Sequence, residues 1–275
     1  MSRDVLVLGA SGRIGGAAAE ALRAAGYAVS MPGRDEAWPE RGWVAVVNAV
    51  GAGMSSDARG SGDALQAANV DVALAAAAHA RRSGARLVHI GTVLERTPLA
   101  TTGDPYVASK LTAARALRAQ RADLDLIELW PHLVVGGSGR TPSLVERVAA
   151  RLRAGAPFEL RTPYVRRDLV HAADIGRAVA LAVASETAPA EPLEIGTGSS
   201  LTMAELVDLV RGVLGTGHGW VPSQGPAPGW SGDLVADPGP AARMLGFTAE
   251  RTASDALLAA LKAGQLDTPE KESSA

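Results

Sequence analysis

The chain has 275 residues, of which 47% are hydrophobic and 20% are charged, and its formal net charge is -2. A sizeable core can therefore form, and the charge gives no reason to expect nucleic acid or an anionic membrane as a partner. The lack of cysteine excludes disulfides, thiolate metal sites and a cysteine nucleophile, and the five histidines show no metal-ligand spacing.

No targeting or membrane-spanning segment is evident in the sequence. The apolar run near the start, VLVLGA, is too short for the core of a signal peptide. The alanine-rich run VALAAAAHARR is also too short to cross a bilayer and ends in charge. We therefore expect a soluble, cytoplasmic protein.

Strand and helix patterns alternate through the first half of the chain. The apolar runs DVLVLGA, YAVSM, WVAVVNAVG, ARLVHIGT and LDLIELW are typical of strands. Between them, GGAAAEALRAAGY, ANVDVALAAAAHARRSG and YVASKLTAARALRAQRA are typical of helices. This alternation predicts an α/β Rossmann fold, a doubly wound parallel sheet with helices on both faces.

From about residue 131 glycine and proline become frequent, and short helical segments such as SLVERVAARLRAG alternate with loops. DLVHAADIGRAVALAVAS and EPLEIGTG are expected to return to the main sheet, and Thr202 and Glu205 have the spacing of a capping box that begins a helix. GWVPSQGPAPGWSGD is predicted to be a loop. We predict a Rossmann core at 1–130 with returns near 165–196, a small C-terminal substrate-binding subdomain built from 131–164 and 197–263, and a flexible tail at 264–275.

The stretch LGASGRIGG joins the first strand to the first helix. Its glycines allow a tight turn and let backbone amides approach a pyrophosphate, while the helix N-terminus supplies donors and a partial positive charge. A plain strand-to-helix turn is the alternative, but the position between a strand and an alanine-rich helix favours dinucleotide binding. The candidate contacts are Gly9, Ser11, Gly12, Arg13, Ile14 and Gly15.

The segment SMPGRDE follows the second strand, where an acidic side chain would bind the adenosine ribose and a basic one the 2′-phosphate of NADP. Arg34 lies close to that place and Arg13 lies in the glycine loop, and two guanidinium groups suit a phosphate dianion. Asp35 and Glu36 in the same segment are acidic and would instead suit the adenosine ribose of NAD. The sequence favours NADPH as the cofactor, with NADH also possible.

The stretch DPYVASK places Tyr106 and Lys110 four residues apart, on one face of a helix. Such a pair is either an ordinary surface pair or an acid–base pair. Taken in order with the glycine loop, VVNAVGAG, ARLVHIGT, WPHLVVG, RRDLVHAADIGRAV and LEIGTGSSLTMAEL, it resembles the extended short-chain dehydrogenase/reductase family of sugar-nucleotide epimerases, dehydratases and ketoreductases. The resemblance runs to about residue 250 and is nearest in pattern to deoxysugar 4-ketoreductases.

The resemblance implies roles for individual residues. Tyr106 would be the general acid that protonates a carbonyl oxygen as hydride arrives, and Lys110, with the oxidised nicotinamide, would lower the pKa of that phenol and hold the nicotinamide ribose. Thr92 would hydrogen-bond the substrate oxygen, and Asn69 would order a helix or a water relay. Further cofactor contacts are implied for Ala49, Val50, Gly51, Lys110, Pro131 and Leu133, and substrate contacts for Val93, His132 and Arg166.

Several other residues are given structural interpretations first. His89 is predicted to be a packed core residue, His79 a solvated one, and His171 a structural one with Asp174 as partner or helix cap. Arg166 and Arg167 fall where the resembled family places an arginine near a substrate diphosphate, although contacts to the fold's own loops are an equal alternative. Trp220 and Trp230 either wall the substrate pocket or fill the C-terminal layer.

Three departures from the family pattern refine the prediction. The connector GRDEAWPERG is short, so the adenine pocket must be built differently. The separation between Thr92 and Tyr106 is short, as in 4-ketoreductases, and Trp130 replaces an arginine. Val93 and Leu94 stand where dehydratases carry an acidic pair, which argues against a 4,6-dehydratase.

We therefore predict an NADPH-dependent ketoreductase acting on a nucleotide-linked deoxysugar or on a polyketide-like secondary metabolite. An epimerase that retains its cofactor and a cofactor-sensing protein without chemistry are the alternatives. The helices that follow the third and fourth strands are rich in alanine, so a homodimer through them is possible.

Overall fold

The computed structural model describes residues 3–53, 62–139, 141–225 and 231–266. The strands are β1 (Asp4–Leu8), β2 (Ala28–Ser30), β3 (Ala45–Asn48), β4 (Arg86–Ile90), β5 (Leu126–Pro131), β6 (Leu133–Val135), β7 (Phe158–Leu160), β8 (Arg166–Arg167), β9 (Leu169–His171), β10 (Leu193–Ile195), β11 (Leu201–Thr202) and β12 (Trp220–Pro222). The helices are α1 (Arg13–Ala24), α2 (Gly62–Leu65), α3 (Val72–Ser83), α4 (Pro105–Arg118), α5 (Leu144–Arg153), α6 (Ala172–Ala184), α7 (Met203–Leu214), α8 (Gly239–Leu245) and α9 (Ala253–Leu266).

Six strands form a central sheet in the order β10-β5-β4-β3-β1-β2, and every neighbouring pair in it is parallel. Strands β1 and β3 consist of leucine, valine and other side chains that are buried along nearly their whole length, as a sheet covered on both faces requires. The chain enters β2 on one side of β1 and then crosses to β3 on the other side. The carboxyl ends of β1 and β3 therefore flank the switch point at which such sheets bind ligands.

Each face of the sheet is covered by its own pair of helices. Helices α1 and α6 pack over one face, and they approach closely because a Cβ at Gly176 would lie 2.4 Å from the carbonyl oxygen of Ala17. Helices α3 and α4 cover the other face with small side chains, among them Ala76, Ala80 and Ala113. The predicted doubly wound α/β fold is confirmed.

The C-terminal part has a separate hydrophobic core. Helices α5, α7 and α9 pack there against β6 and β7 through Val148, Leu152, Val207, Val210 and Leu257. Helix α7 begins as predicted: Thr202 Oγ1 accepts the amide of Glu205, and Glu205 Oε2 accepts the amide of Thr202. The homodimer predicted through α3 and α4 stays a prediction.

The segment DLVH does not return to the main sheet. Strand β9 pairs instead with β6 in a separate two-stranded parallel sheet, and only β10 rejoins the central sheet. The reason lies after Pro131, where the amide of His132 still bonds Ile195 but that of Leu133 bonds the carbonyl of Asp168. The chain thus turns away from β5 and pairs with the segment that carries Asp168.

The tryptophan-rich segment is not a loop throughout. It begins with β12, which pairs with β7, and Trp220 lies edge-on to Tyr164 at 6.3 Å between ring centroids while it packs against the C-terminal core. Trp230 lies outside the described residues. Helix α9 continues through Leu266, so the first residues of the predicted tail are helical, and 267–275 lie outside the described residues.

His79 was predicted to be solvated, and this is wrong. The ring is 2% exposed, and its Nε2 accepts a hydrogen bond from Trp43 Nε1 at 3.0 Å. Trp38 packs edge-on against it at 5.7 Å. The short connector between β2 and β3 carries both tryptophans over α3 and so buries the histidine.

The described residues contain neither a membrane-spanning helix nor a cluster of metal ligands. No helix in these ranges has both the length and the apolar character needed to cross a membrane. Within the same ranges, no group of three or more histidine, aspartate or glutamate side chains is arranged to hold a metal ion.

Candidate active site

The glycine loop after β1 packs directly on the residues that follow β3. Gly9 has a φ of +80°, and a Cβ there would lie 2.9 Å from the backbone of Ala49 and Val50. A Cβ at Gly15 would lie 2.2 Å from the carbonyl oxygen of Gly9. Only glycine fits these two positions, because of the backbone conformation at the first and the lack of space at both.

The start of α1 is open to an anion. Its N-cap, Gly12, provides no side-chain hydrogen bond, and the first turn carries no acidic residue. The amides of Arg13, Ile14 and Gly15 thus begin a helix whose N-terminal dipole is uncompensated by the protein's own side chains. The cradle of glycine backbone fits the pyrophosphate of a nicotinamide dinucleotide, and the backbone from Ser11 to Gly15 would hold it.

The segment after β3 runs from the glycine loop towards the predicted catalytic residues. Ala49 donates its amide to Leu8, which continues the sheet, and Val50 donates its amide to the side chain of Asn48 at 3.2 Å. A Cβ at Gly51 would lie 3.3 Å from Lys110 Nζ. The predicted cofactor residues Ala49, Val50 and Gly51 therefore connect the two parts of the site.

Asn69 fastens this segment to α4. It lies in a π-helical turn, Gln66–Asp71, and is 1% exposed. Its Oδ1 accepts the amide of Ala52 at 2.9 Å, while its Nδ2 donates to Ala52 O at 3.0 Å and to Ser109 Oγ at 2.8 Å. Ser109 in turn donates to the carbonyl of Tyr106. The amide thus orders the helix that carries Tyr106, which is one of the two roles that the resemblance implied, and Ser109 was missed by sequence reasoning.

Tyr106, Lys110 and Thr92 meet where β4 ends and α4 begins. Asp104 caps α4 by accepting the amide of Val107, so Tyr106 lies in its first turn and Lys110 one turn later. Lys110 is 4% exposed, and its Nζ donates to the carbonyl of Ile90 at 3.1 Å. Thr92, two residues after Ile90, lies close enough to Tyr106 for its side chain to oppose the rise in the pKa of the phenol.

Burial sets the protonation of this group. It raises the pKa of Tyr106 to about 12, against an opposing hydrogen bond from Thr92 and with smaller additions from Glu95 and Asp104. It lowers the pKa of Lys110 to about 8, against the attraction of Glu95. We expected Lys110 and the oxidised nicotinamide to lower the pKa of Tyr106. In the protein alone, burial outweighs any such effect.

Glu95 belongs to this site and was not found from the sequence. Thr92 caps the 3-10 turn Val93–Arg96, and Glu95 completes a capping box by accepting the amide of Thr92 at 3.0 Å. A Cβ at Gly91 would lie 2.7 Å from both Glu95 Oε1 and Trp130 Cδ1. The spacing of Thr92 and Glu95 after a strand was the signal that could have revealed the capping box.

Three buried polar side chains lie side by side beneath α4. Asn48, His89 and Glu128 are register partners on β3, β4 and β5. Burial lowers the pKa of His89 to about 3, with Lys110 and Arg118 adding to the effect. Glu128 accepts two hydrogen bonds from Arg118, at 2.7 and 2.9 Å. The prediction of His89 as a buried residue is confirmed, although its setting is polar.

Arg13 is not directed at a 2′-phosphate. Its guanidinium donates to the carbonyl oxygens of Gly136 and Gly137 and to Glu146 Oε2 at 2.8 Å, which ties the glycine loop to the residues after β6 and to α5. Arg34 is exposed on the loop after β2 and has no bonding partner among the described residues. The NADP prediction therefore depends on Arg34 alone, and the contact of Arg13 with a cofactor would come from its backbone.

The predicted substrate residues differ in exposure: His132 and Val93 are buried, whereas Arg166 is half-exposed. His132 has a side chain that is 1% exposed and lies 2.9 Å from Glu194 Oε2, and Val93 is 4% exposed. Both side chains are buried, and their contacts with a substrate stay predictions. Arg166 is half-exposed, but its guanidinium donates to Ser200 Oγ at 2.9 Å and to Ser200 O.

Two predicted cofactor residues follow at the end of β5. Pro131 is the last residue of the strand and pairs in register with Ile195. Leu133 donates its amide to the carbonyl oxygen of Asp168 and packs against the C-terminal core, so its amide is not available for a cofactor contact. Arg167, like Arg166, is hydrogen-bonded within the protein, since its guanidinium donates to the carbonyl oxygen of Gly232 at 2.7 Å.

Comparison with known proteins supports the fold over the whole chain. MoeE5 in complex with UDP-glucuronic acid and NAD is 22% identical with a TM-score of 0.78, covering 96% of this chain and 100% of its own. UDP-glucose 4-epimerase from Thermotoga maritima, with UDP-glucose, is 19% identical with a TM-score of 0.80 and coverages of 96% and 99%. RMD from Pseudomonas aeruginosa, complexed with NADPH, is 17% identical with a TM-score of 0.78 and the same coverages.

At these identities the similarity shows a shared fold. No curated protein matches the chain. A family model does match it, that of the NAD dependent epimerase/dehydratase family, over residues 5–196. This range contains the glycine loop, Thr92, Tyr106 and Lys110, and it covers more than half of the chain. The chain therefore belongs to the NAD dependent epimerase/dehydratase family and is an NAD(P)-dependent enzyme of the oxidoreductase type.

Proposed function

We propose that the protein is an NADPH-dependent ketoreductase that reduces a ketone of a nucleotide-linked deoxysugar or of a polyketide-like secondary metabolite. The observation that carries this proposal is the convergence of the half-buried Tyr106 with the buried Lys110 and Thr92 where β4 ends and α4 begins. Because burial raises the pKa of Tyr106 to about 12, the phenol carries its proton at neutral pH. A protonated donor is what reduction of a ketone requires at its start.

The chain's own residues divide the work of the reduction. A bound nicotinamide cofactor would supply hydride to the carbonyl carbon. Tyr106 gives its proton to the carbonyl oxygen, so the ketone becomes a secondary alcohol, and Thr92 donates or accepts a hydrogen bond at the same oxygen. The ammonium of Lys110 stabilises the phenolate left behind, and with a pKa of about 8 it is largely charged at neutral pH.

The choice of NADPH rests on the loop after β2. Arg34 is exposed and has no bonding partner among the described residues, so its guanidinium is available for a 2′-phosphate. Glu36 accepts the amide of Gly33 at 2.9 Å and is thereby held within its own loop. Among the similar structures, RMD is complexed with NADPH and MoeE5 with NAD, so relatives of both kinds share this fold.

Each of the two proposed substrate classes is supported by a different observation. Two of the similar structures contain a UDP-sugar, which supports a nucleotide-linked sugar. Arg166 and Arg167 are held by Ser200 and Gly232, so a diphosphate would have to compete for them, and this supports a smaller or less charged ketone. Val93 and Leu94 in place of an acidic pair oppose a dehydratase.

An epimerase with a retained cofactor is the second candidate, and it is supported by the epimerases among the similar structures. The test is to incubate the protein with NADPH and ketones of both classes and to measure NADPH consumed per alcohol formed. Stoichiometric consumption that is lost in Tyr106→Phe, while NADPH binding is retained, is expected. Interconversion of a nucleotide sugar without net consumption would favour the epimerase, and cofactor binding with neither reaction would favour a sensor.

A further inference from the structure

Glu95 is a buried carboxyl group that the proposed reaction does not use. The residue is 6% exposed. Its Oε1 accepts the amide of Thr92, but its Oε2 is buried and has no hydrogen-bond partner among the described residues. A buried carboxylate oxygen without a donor is rare in folded proteins, because its desolvation is not repaid by a contact.

Among the described residues, Glu95 has one cationic neighbour within ion-pair distance, and a second carboxylate holds that cation more closely. Arg118 Nη2 lies 3.7 Å from Glu95 Oε2, whereas Arg118 forms two hydrogen bonds to Glu128 at 2.7 and 2.9 Å. Glu128 also binds Arg121 at 3.1 Å. The arginines thus compensate Glu128 and leave Glu95 under-compensated.

The electrostatic consequence is visible when Glu95 is compared with Glu205. Both occupy the same position of a capping box, after Thr92 and Thr202 respectively. The exposed Glu205 has its pKa lowered by the hydrogen bond from the Thr202 backbone. The pKa of Glu95 is raised to about 7, because burial outweighs the same kind of hydrogen bond and because Glu128 repels its charge.

The groups that face Glu95 come from three elements. Tyr106, Lys110 and Arg118 face it from α4 and Glu128 from β5, while Thr92 bonds it from its own turn. The charge of Glu95 acts on both members of the acid–base pair: it raises the pKa of Lys110 and that of Tyr106. Glu95 is therefore connected to Thr92 by a hydrogen bond and to Tyr106 and Lys110 by charge.

We propose that Glu95 is a positioning residue for the acid–base centre: its carboxyl group holds Thr92 through the backbone amide, and the gain or loss of one proton on it changes the charge that Lys110 and Tyr106 experience. The proposal rests on the proposed function for its meaning in catalysis. When Glu95 is ionised, it favours the ammonium of Lys110 and the neutral phenol of Tyr106, which are the forms that the reduction requires.

The test follows Lys110 by NMR in the cofactor-free protein. The chain's lysines are Lys110, Lys262 and Lys271, so a protein labelled at the lysine ε-carbon gives few signals, and Lys110→Met assigns the one of interest. In the wild type, the Lys110 signal is expected to titrate near its lowered pKa and to show a second, smaller inflection when Glu95 ionises. In Glu95→Gln, the main midpoint should fall by roughly half a pH unit or more, and the second inflection should vanish.

Glu205→Gln is the matched control, because it removes the same charge from the same capping-box position at an exposed helix start and leaves an oxygen that accepts the amide of Thr202. It should leave the Lys110 titration unchanged. A Lys110 midpoint that is the same in Glu95→Gln as in the wild type would overturn the proposal and leave Glu95 as a helix cap only. If Glu95→Gln does not fold, the wild type alone decides, since a Lys110 titration without the second inflection would also overturn it.

The kinetic readout separates this inference from the proposed function. For a ketone that the wild type reduces, Glu95→Gln should move the alkaline limb of the kcat profile to lower pH, whereas Glu205→Gln should not. If no ketone is reduced but the Lys110 titration shifts as expected, the proposed function fails and the coupling between Glu95 and Lys110 stands.

Discussion

The ammonium group of Lys110 donates a hydrogen bond to the carbonyl oxygen of Ile90 at 3.1 Å. Ile90 ends β4, and Thr92 follows it directly beyond Gly91. This single contact fixes the helix that carries the phenol of Tyr106 to the strand that presents the hydroxyl of Thr92. Lys110 therefore has a geometric role as well as an electrostatic one.

Replacement of Lys110 by methionine should abolish most of the activity without unfolding the protein. The variant loses the charge that stabilises a phenolate, and we expect kcat for ketone reduction to fall roughly 10²- to 10⁴-fold. Because burial already disfavours the ammonium, the free energy of unfolding should be unchanged or higher. Steady-state kinetics and urea unfolding at neutral pH check both points. Wild-type kcat in the variant would contradict the role of Lys110.

Replacement of Asn69 by alanine should destabilise the protein. It removes three hydrogen bonds in a buried position and leaves the amide of Ala52 without its acceptor. We expect a loss of about 2 kcal/mol in the free energy of unfolding, together with a lower kcat because α4 is less well ordered. Gln66→Ala, in the same turn but exposed, is the control and should change stability little. Equal stability of the two variants would show that the Asn69 contacts do not hold the site.

The two arginines near the cofactor loop should behave differently when each is replaced by alanine. Arg34→Ala should weaken NADPH binding roughly 10- to 100-fold and leave NADH binding nearly unchanged, since it removes a charge-assisted contact to a phosphate. Arg13→Ala should instead lower stability and affect both cofactors alike, because its guanidinium binds Gly136, Gly137 and Glu146. Titration with each cofactor measures this. An NADPH-specific loss in Arg13→Ala would show that the guanidinium turns to the phosphate on binding.

His89 should make the protein less stable in acid. Its pKa is lowered to about 3 in the folded protein, while an unfolded histidine titrates near pH 6.5. Between these values the unfolded chain binds the extra proton, so this contribution to stability falls as the pH falls from about 6.5 towards about 3.

His89→Gln removes the titrating imidazole, so the free energy of unfolding should fall less steeply with decreasing pH. Urea unfolding between about pH 7 and about pH 4 measures this. Glu95 acts in the opposite sense, since its raised pKa favours the folded state as the pH falls from about 7 towards about 4.5. The difference between variant and wild type, rather than either profile alone, is thus the quantity to compare. An unchanged slope in His89→Gln would mean that His89 binds its proton equally well in the folded and the unfolded protein.

Much of the fold follows from local patterns in the sequence. Continuous apolar strands alternate with alanine-rich helices, and parallel strands place their carboxyl ends at one edge, so the glycine loop, Thr92 and Tyr106 were expected near one another. Because Tyr106 and Lys110 are four residues apart, the helix alone is enough to place both on one face.

What the sequence did not reveal depends on contacts between distant segments. The direction of the Arg13 guanidinium is decided by carbonyl groups after β6, and the burial of His79 by tryptophans on another connector. The capping box of Thr92 and Glu95 is visible in the sequence, but the burial of Glu95 requires β5 and α4 to close over it. The pairing of β9 with β6 depends on where the chain leaves β5.

The crowding around Gly91 makes substitutions at this end of the sheet depend on one another. A methyl group there would collide with the indole of Trp130 and with the carboxyl of Glu95, so position 91 accepts a side chain only after both neighbours have been replaced by smaller groups. The reverse order passes through an intermediate with a clash in the interior. A side chain at position 91 can therefore be introduced only as the last step, after substitutions at Trp130 and Glu95 have made room for it.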